Sequence, residues 1–183
     1  MITDDAGRKI ARFNEVGLHY NLVAAQIYVK RFTQGTDPFS AEYLGYVMAG
    51  LIVFDMERMM GSGFGKFDFN GEGFAYRLNT KVQQISPEFQ PLMNANLTQI
   101  NLQQHSSAII NAYNVFSPKG NGGLNENQNN AFHVGATKIL HFLNPLLFII
   151  VDGYAASAFS IHHKIGFKNA TQQDIQLIYI KSV

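Results

Sequence analysis

The chain has 183 residues with a formal net charge of +1; 46% of its residues are hydrophobic, 15% are charged, and none is cysteine. That length and apolar content suffice for one domain with a sizeable core, spanning residues 1–183. The lack of cysteine excludes disulfides and thiolate metal sites and fits a reducing, cytoplasmic setting, and the near-balanced charge excludes the strong basic excess of a dedicated nucleic-acid binder while leaving room for a local basic patch.

The first segment, "MITDDAGRKIARF", places acids before its basic residues with no apolar run behind them, which does not match a secretory signal. Thr3 can cap a helix whose first turn holds Asp4 and Asp5, where the helix dipole favours acids. Ile10, Phe13 and Val16, then Leu18, Leu22, Ala25 and Val29, follow at helical spacing. That stripe is expected to bury one side, with Lys30 and Arg31 among the cations left outside. "TQGTDPFS" breaks the helix, and Ser40 can cap the next one.

The second helix, about 41–60, is expected to be the buried centre of the fold. Leu44, Val47, Leu51 and Phe54 form one stripe, and Ala41, Gly45 and Ala49 recur every four residues on another face. An apolar surface on nearly all sides implies a helix enclosed by others, with Gly45 and Gly50 serving close packing. Its longest uncharged apolar run, residues 43–54, falls well short of the roughly 20 residues needed to span a bilayer, so no membrane partner is expected.

Residues 61–73, "GSGFGKFDFNGEG", read as a glycine-rich loop. They lack the GxxxxGK[ST] order of a phosphate loop, so tight turns are the plainer use of the glycines. Phe74, Leu78, Val82 and Ile85 then mark a helix, with Pro87 expected to start a short helix and Pro91 to interrupt the next stretch. "LTQINLQQHSSAIINAYNVFS" carries apolar residues at helical spacing from Leu97 to Phe116. Residues 118–131, rich in Asn and Gly, form a second long loop, a length usually tied to function or motion. "LLFIIV", 146–151, has the composition of a strand but no partner strand in sequence, and helices close the chain. The prediction is all-α: a single globular bundle of about seven or eight helices around the helix at 41–60.

Few residues carry chemistry. His133 and His141 are eight apart, roughly 12 Å along a helix, too far to share an ion. Without H-x-x-x-H or cysteine, neither a metal site nor a cofactor is expected. No G-x-S-x-G elbow is present, and paired carboxylates are scarce. What stands out is "AFHVGATKILHFLNPLLFIIVDGY", 131–154, in which a glycine opens an apolar helix and Asp152 follows a run with no other acid. The free N–H groups of a helix that follows a glycine turn can hold a phosphate. Lys138 lies one turn in, and Lys119 ends the previous loop.

Residues 131–158 resemble the helix-hairpin-helix element of DNA-glycosylase-like proteins. In that family a hairpin reading apolar-x-G-x-G holds the DNA backbone, a helix follows, and a run ends in a catalytic aspartate that opens another helix. The resemblance implies Val134-Gly135 as the end of the hairpin, residues 98–117 as its first helix, and Ile139, Leu140, Phe142 and Leu143 as the packing face. It implies Asp152 as the carboxylate that stabilises positive charge developing on a sugar. Lys119, His133, Gly135, Lys138 and His141 become the nucleic-acid-binding set. The plain alternative makes Asp152 the N-cap of the next helix, worth about 1 kcal/mol, and puts Lys138 and His141 on the solvated side of theirs. With its glycine- and asparagine-rich loops and abundant phenylalanine, the chain also resembles small accessory proteins of bacteria and their mobile DNA.

Three functions follow. One is a nucleic-acid-associated accessory protein with DNA or a nucleotide as partner. A second is a non-catalytic module for a small ligand, another protein or a homo-oligomer, with grooves framed by the loops. A third is a hydrolase of modified bases or nucleotides that uses Asp152.

Overall fold

The computed structural model describes residues 18–54, 73–118, 124 and 132–151. Among them are five α-helices: α1 (Leu18–Tyr28), α2 (Ala41–Phe54), α3 (Phe74–Phe89), α4 (Leu102–Phe116) and α5 (His133–Leu143). A π-helical turn, Val29–Thr33, extends α1, and a 3-10 turn, Gln90–Leu92, extends α3. No described residue is in a strand, so the fold is all-α over this part of the chain. No helix among the described residues is long and apolar enough to cross a membrane. The Thr3 cap, the stripe from Ile10 to Val16 and the loop at 61–72 lie outside the described residues.

α2 touches α1, α3 and α5, as a central helix should. It starts where Ser40 predicts: the Ser40 hydroxyl accepts the Tyr43 N–H at 3.2 Å, satisfying one of the orphan donors of the first turn. Tyr43, Leu44, Val47, Met48 and Leu51 are buried. Tyr43 donates its hydroxyl proton to the Phe142 carbonyl at 2.5 Å, tying α2 to α5. Burial holds that hydroxyl well above the usual phenol range, so it remains a donor.

The two glycines of α2 differ. A Cβ on Gly50 would meet the Phe142 ring at 2.9 Å and Ile27 at 3.1 Å, so this glycine lets α1 and α5 approach. A Cβ on Gly45 would meet nothing within 4 Å. Gly45 instead lines an open apolar groove of about 220 Å³ with Ala41, Leu44, Met48, Ala75, Tyr76 and Asn79. The expectation of enclosure therefore holds on one side of α2 and fails on the side facing α3.

α1 corrects a second expectation. Leu22 is 57% exposed and Val29 is exposed too, whereas Ile27 is buried. The stretch "LVAAQIYV" is apolar almost all round, so periodicity alone does not choose its buried face. Arg31, expected outside, is buried. The π-helical turn adds a residue per turn and shifts the side chains off the 3.6 register. The Arg31 guanidinium donates to the Met93 carbonyl and Asn94 Oδ1, both at 2.8 Å. Lys30 remains toward solvent, paired with Glu42 at 2.9 Å. Gly35, at φ 65°, then turns the chain toward α2.

α3 buries Phe74, Leu78, Val82 and Ile85 as their spacing predicts. It also runs through Pro87 rather than ending before it. Gln83, whose carbonyl loses its helical partner at Pro87, and Pro87 itself are both exposed, so water can serve that carbonyl. α4 begins at Leu102, not before 100, because Asn101 caps it by accepting the Gln104 N–H at 3.2 Å. Asn96 folds residues 96–98 into a turn by accepting the Thr98 N–H at 3.0 Å.

The segment after α5 turns at residues 145–147, and none of its described residues is in a strand. Asn144, fully buried, holds it. Its side-chain amide donates to the carbonyls of Leu92 at 2.7 Å and Ala95 at 2.9 Å, and its Oδ1 accepts the Leu146 N–H at 3.0 Å. Phe148 stacks on Phe89 at 5.5 Å, and Phe89 in turn meets Phe39 edge-on. Ile139, Leu140, Phe142 and Leu143 are all buried, as a packing face requires.

Candidate functional site

Four of the residues singled out in sequence, His133, Gly135, Lys138 and His141, fall on α5, and Gly135 and Lys138 are buried there. His133 is the first residue of α5, within the helix rather than in a turn before it. Its Nδ1 shares a hydrogen bond of 2.6 Å with the Tyr113 hydroxyl on α4, and the two rings lie nearly parallel. Burial lowers the His133 pKa and raises that of Tyr113, so both neutral forms are favoured.

Gly135 is the third residue of α5, and a Cβ there would lie 2.0 Å from the Phe132 ring. The aromatic ring, itself edge-on to Phe74, occupies the place a side chain on this residue would take. Lys138 is 3% exposed, which corrects its expected place on a solvated face. His141 donates its Nδ1–H to the Phe148 carbonyl at 2.7 Å, and burial lowers its pKa against the opposing effect of that bond. Thr137 is buried beside them. Its hydroxyl donates to the Val134 carbonyl at 2.9 Å and accepts the Val151 N–H at 3.2 Å. His133, Thr137 and His141 thus bond within the fold, tying α4 and the segment 148–151 to the helix. Lys119 and Asp152 lie outside the described residues.

No group of three or more His, Cys, Asp or Glu side chains gathers among the described residues. The polar side chains that face a shared opening lie elsewhere. α3 and α4 pack side by side and leave between them a groove of about 420 Å³, within the size range of small-ligand sites. α3 contributes Lys81, Gln84, Ile85 and Glu88, and α4 contributes Asn111, Asn114 and Val115, with Pro118 just beyond its end. Each set follows the i, i+3, i+4, i+7 spacing that brings side chains to one helix face.

Ile85 is the buried apolar floor, and Val115 is partly buried beside it. The Asn111 side-chain amide donates to Glu88 Oε2 at 3.2 Å, joining the two walls. Lys81 has no carboxylate partner among the described residues. Partial burial, and secondarily the nearby Arg77 charge, lower its pKa. Arg77 itself donates to the carbonyl of Leu124 at 3.3 Å, which ties the buried Leu124 to α3. The stripes were present in the sequence as two runs of polar residues at helical spacing, but nothing there says that two such runs face each other across a gap.

No family model, curated protein or solved structure matches the chain.

Proposed function

We propose that the protein is a non-catalytic binding module that takes a small polar ligand in the groove between α3 and α4. The observation that carries this reading is the contrast between that groove and α5. The groove presents Lys81 and Gln84 to an open space, with the Asn111–Glu88 bond joining its two walls. α5 spends its polar side chains on bonds inside the protein. An apolar floor with a few convergent polar groups is the usual make-up of a ligand site. The whole chain is read as a bundle of seven or eight helices, with this groove on one flank.

The test is an NMR titration of the full chain with succinate, spermidine and trialanine, following the side-chain amide resonances of Gln84, Asn111 and Asn114. At least one probe moves these resonances. The same probe leaves them unmoved in Gln84→Trp, whose indole fills the groove from an exposed position. If none of the three probes moves them, the reading fails.

Nucleic-acid association is the second reading, and it rests on Lys81 lying one turn from Arg77 on α3. It no longer draws on Gly135 or Lys138, which are buried. A labelled single-stranded oligonucleotide whose binding weakens steeply as salt rises would favour this reading. Salt-insensitive binding, or no binding at low salt, removes it.

A further inference from the structure

The two ends of the α3–α4 groove carry opposite charges, and neither meets an opposite charge among the described residues. Lys81 stands at one end, with no carboxylate within ion-pair distance. Glu88 stands at the other, bonded to the Asn111 amide. Seven residues separate them, two turns on the same face of α3, or a rise of roughly 10.5 Å. Between them the walls carry the carboxamides of Gln84, Asn111 and Asn114, and the floor carries Ile85 and Val115.

A ligand suited to this arrangement has an anion at one end, a cation at the other and about 10 Å between them. Its middle has donors and acceptors for carboxamides and some apolar surface. An extended chain of three amino-acid residues spans about 10 Å. Its peptide groups pair with side-chain amides, each of which both donates and accepts. Its free ends supply the two charges. We infer that the groove binds a short peptide of about three residues, with its terminal carboxylate on Lys81 and its terminal ammonium on Glu88. This rests on the groove being a ligand site and adds the class of ligand.

Burial and the Arg77 charge lower the Lys81 pKa, and a carboxylate bound beside it would raise it again. Placing the peptide the other way round would set like charges against each other at both ends, so the polarity is part of the assignment.

Calorimetric titration of the full chain with trialanine, its C-terminal amide and its N-acetyl form tests this, with Lys81→Met and Glu88→Gln proteins alongside. Unchanged thermal melts establish that both variants are folded. Amidation weakens binding about fivefold in the unsubstituted protein, the scale of a partly exposed ion pair, and has no effect in Lys81→Met. Acetylation does the same in the unsubstituted protein and has no effect in Glu88→Gln. Trialanine that does not bind, or that binds equally well with either end capped, overturns the peptide assignment. If succinate or spermidine still moves the groove amides, only this assignment falls. If no probe does, the ligand-site reading falls with it.

Discussion

α5 and the α3–α4 groove are both built from polar residues set among apolar ones, and they use them in opposite ways. On α5, Thr137, Lys138 and the C-cap Asn144 are buried, and the polar groups of Thr137 and Asn144 hold neighbouring segments in place. In the groove, Lys81 and Gln84 line an open space, and Asn111 joins its two walls through Glu88. A polar residue in an amphipathic helix is therefore not a guide to the solvent face. Its role depends on whether carbonyls and N–H groups left unpaired by nearby turns lie within reach.

The sharpest way to break this contrast is at Asn144. Asn144→Ala removes three hydrogen bonds: the Ala95 carbonyl and the Leu146 N–H lose their partner in a part-buried place, and the Leu92 carbonyl is left with the Ala95 N–H alone. At about 1–3 kcal/mol for each of the two stranded groups, the loss reaches about 2 kcal/mol or more. Urea denaturation would show it as a lowered midpoint, and a midpoint within error of the parent would refute the latch.

Gly135→Ala comes next. The methyl group collides with the Phe132 ring, and displacing it costs about 1–3 kcal/mol despite the better helix propensity of alanine. Gly45→Ala is the matched control on the open side of α2. With nothing near its Cβ, the same exchange raises stability by about 0.5–1 kcal/mol. Equal signs in the two melting shifts would contradict the assignment of one glycine to a contact and the other to a groove.

The last effect is a slope with pH. His133 and His141 have folded pKa values below the usual 6.5, because burial disfavours the imidazolium. Below pH 6.5 the unfolded chain therefore binds more protons than the folded one. The stability due to these rings is fully present above pH 6.5 and is lost as pH falls toward their folded pKa values. His141→Asn, which keeps a donor for the Phe148 carbonyl, flattens the fall in unfolding free energy between pH 6.5 and 5. An unchanged slope would mean that His141 titrates as it does when unfolded.

Much of the helical frame was legible in sequence. The Ser40 cap, the apolar spacing of α3 from Phe74 to Ile85 and the buried face of α5 follow from local rules and appear as expected. Expectations failed where a partner distant in sequence decides the outcome. Arg31 turns inward to bond Met93 and Asn94, more than sixty positions away. Lys138 shares a face with residues packed into the core, and the run at 146–151 is held by Asn144 and Thr137 instead of another strand. Nothing in the sequence around Asn144 points to the two carbonyls it reaches. Of the site named from sequence, His133, Gly135, Lys138 and His141 do share one helix, but His133 bonds to α4 and His141 to the segment beyond α5. The groove was missed because it depends on how α3 and α4 meet.

The distinction between inward and outward polar groups is tested most directly by lysine reactivity. Brief acetylation of the native protein, followed by peptide mass spectrometry, compares Lys81 and Lys138 in one sample. Lys81 is expected to react in the folded state, and Lys138 only when urea unfolds the chain. Acetylation of native Lys138 as fast as Lys81 would put its ammonium at the surface and contradict the division between α5 and the groove.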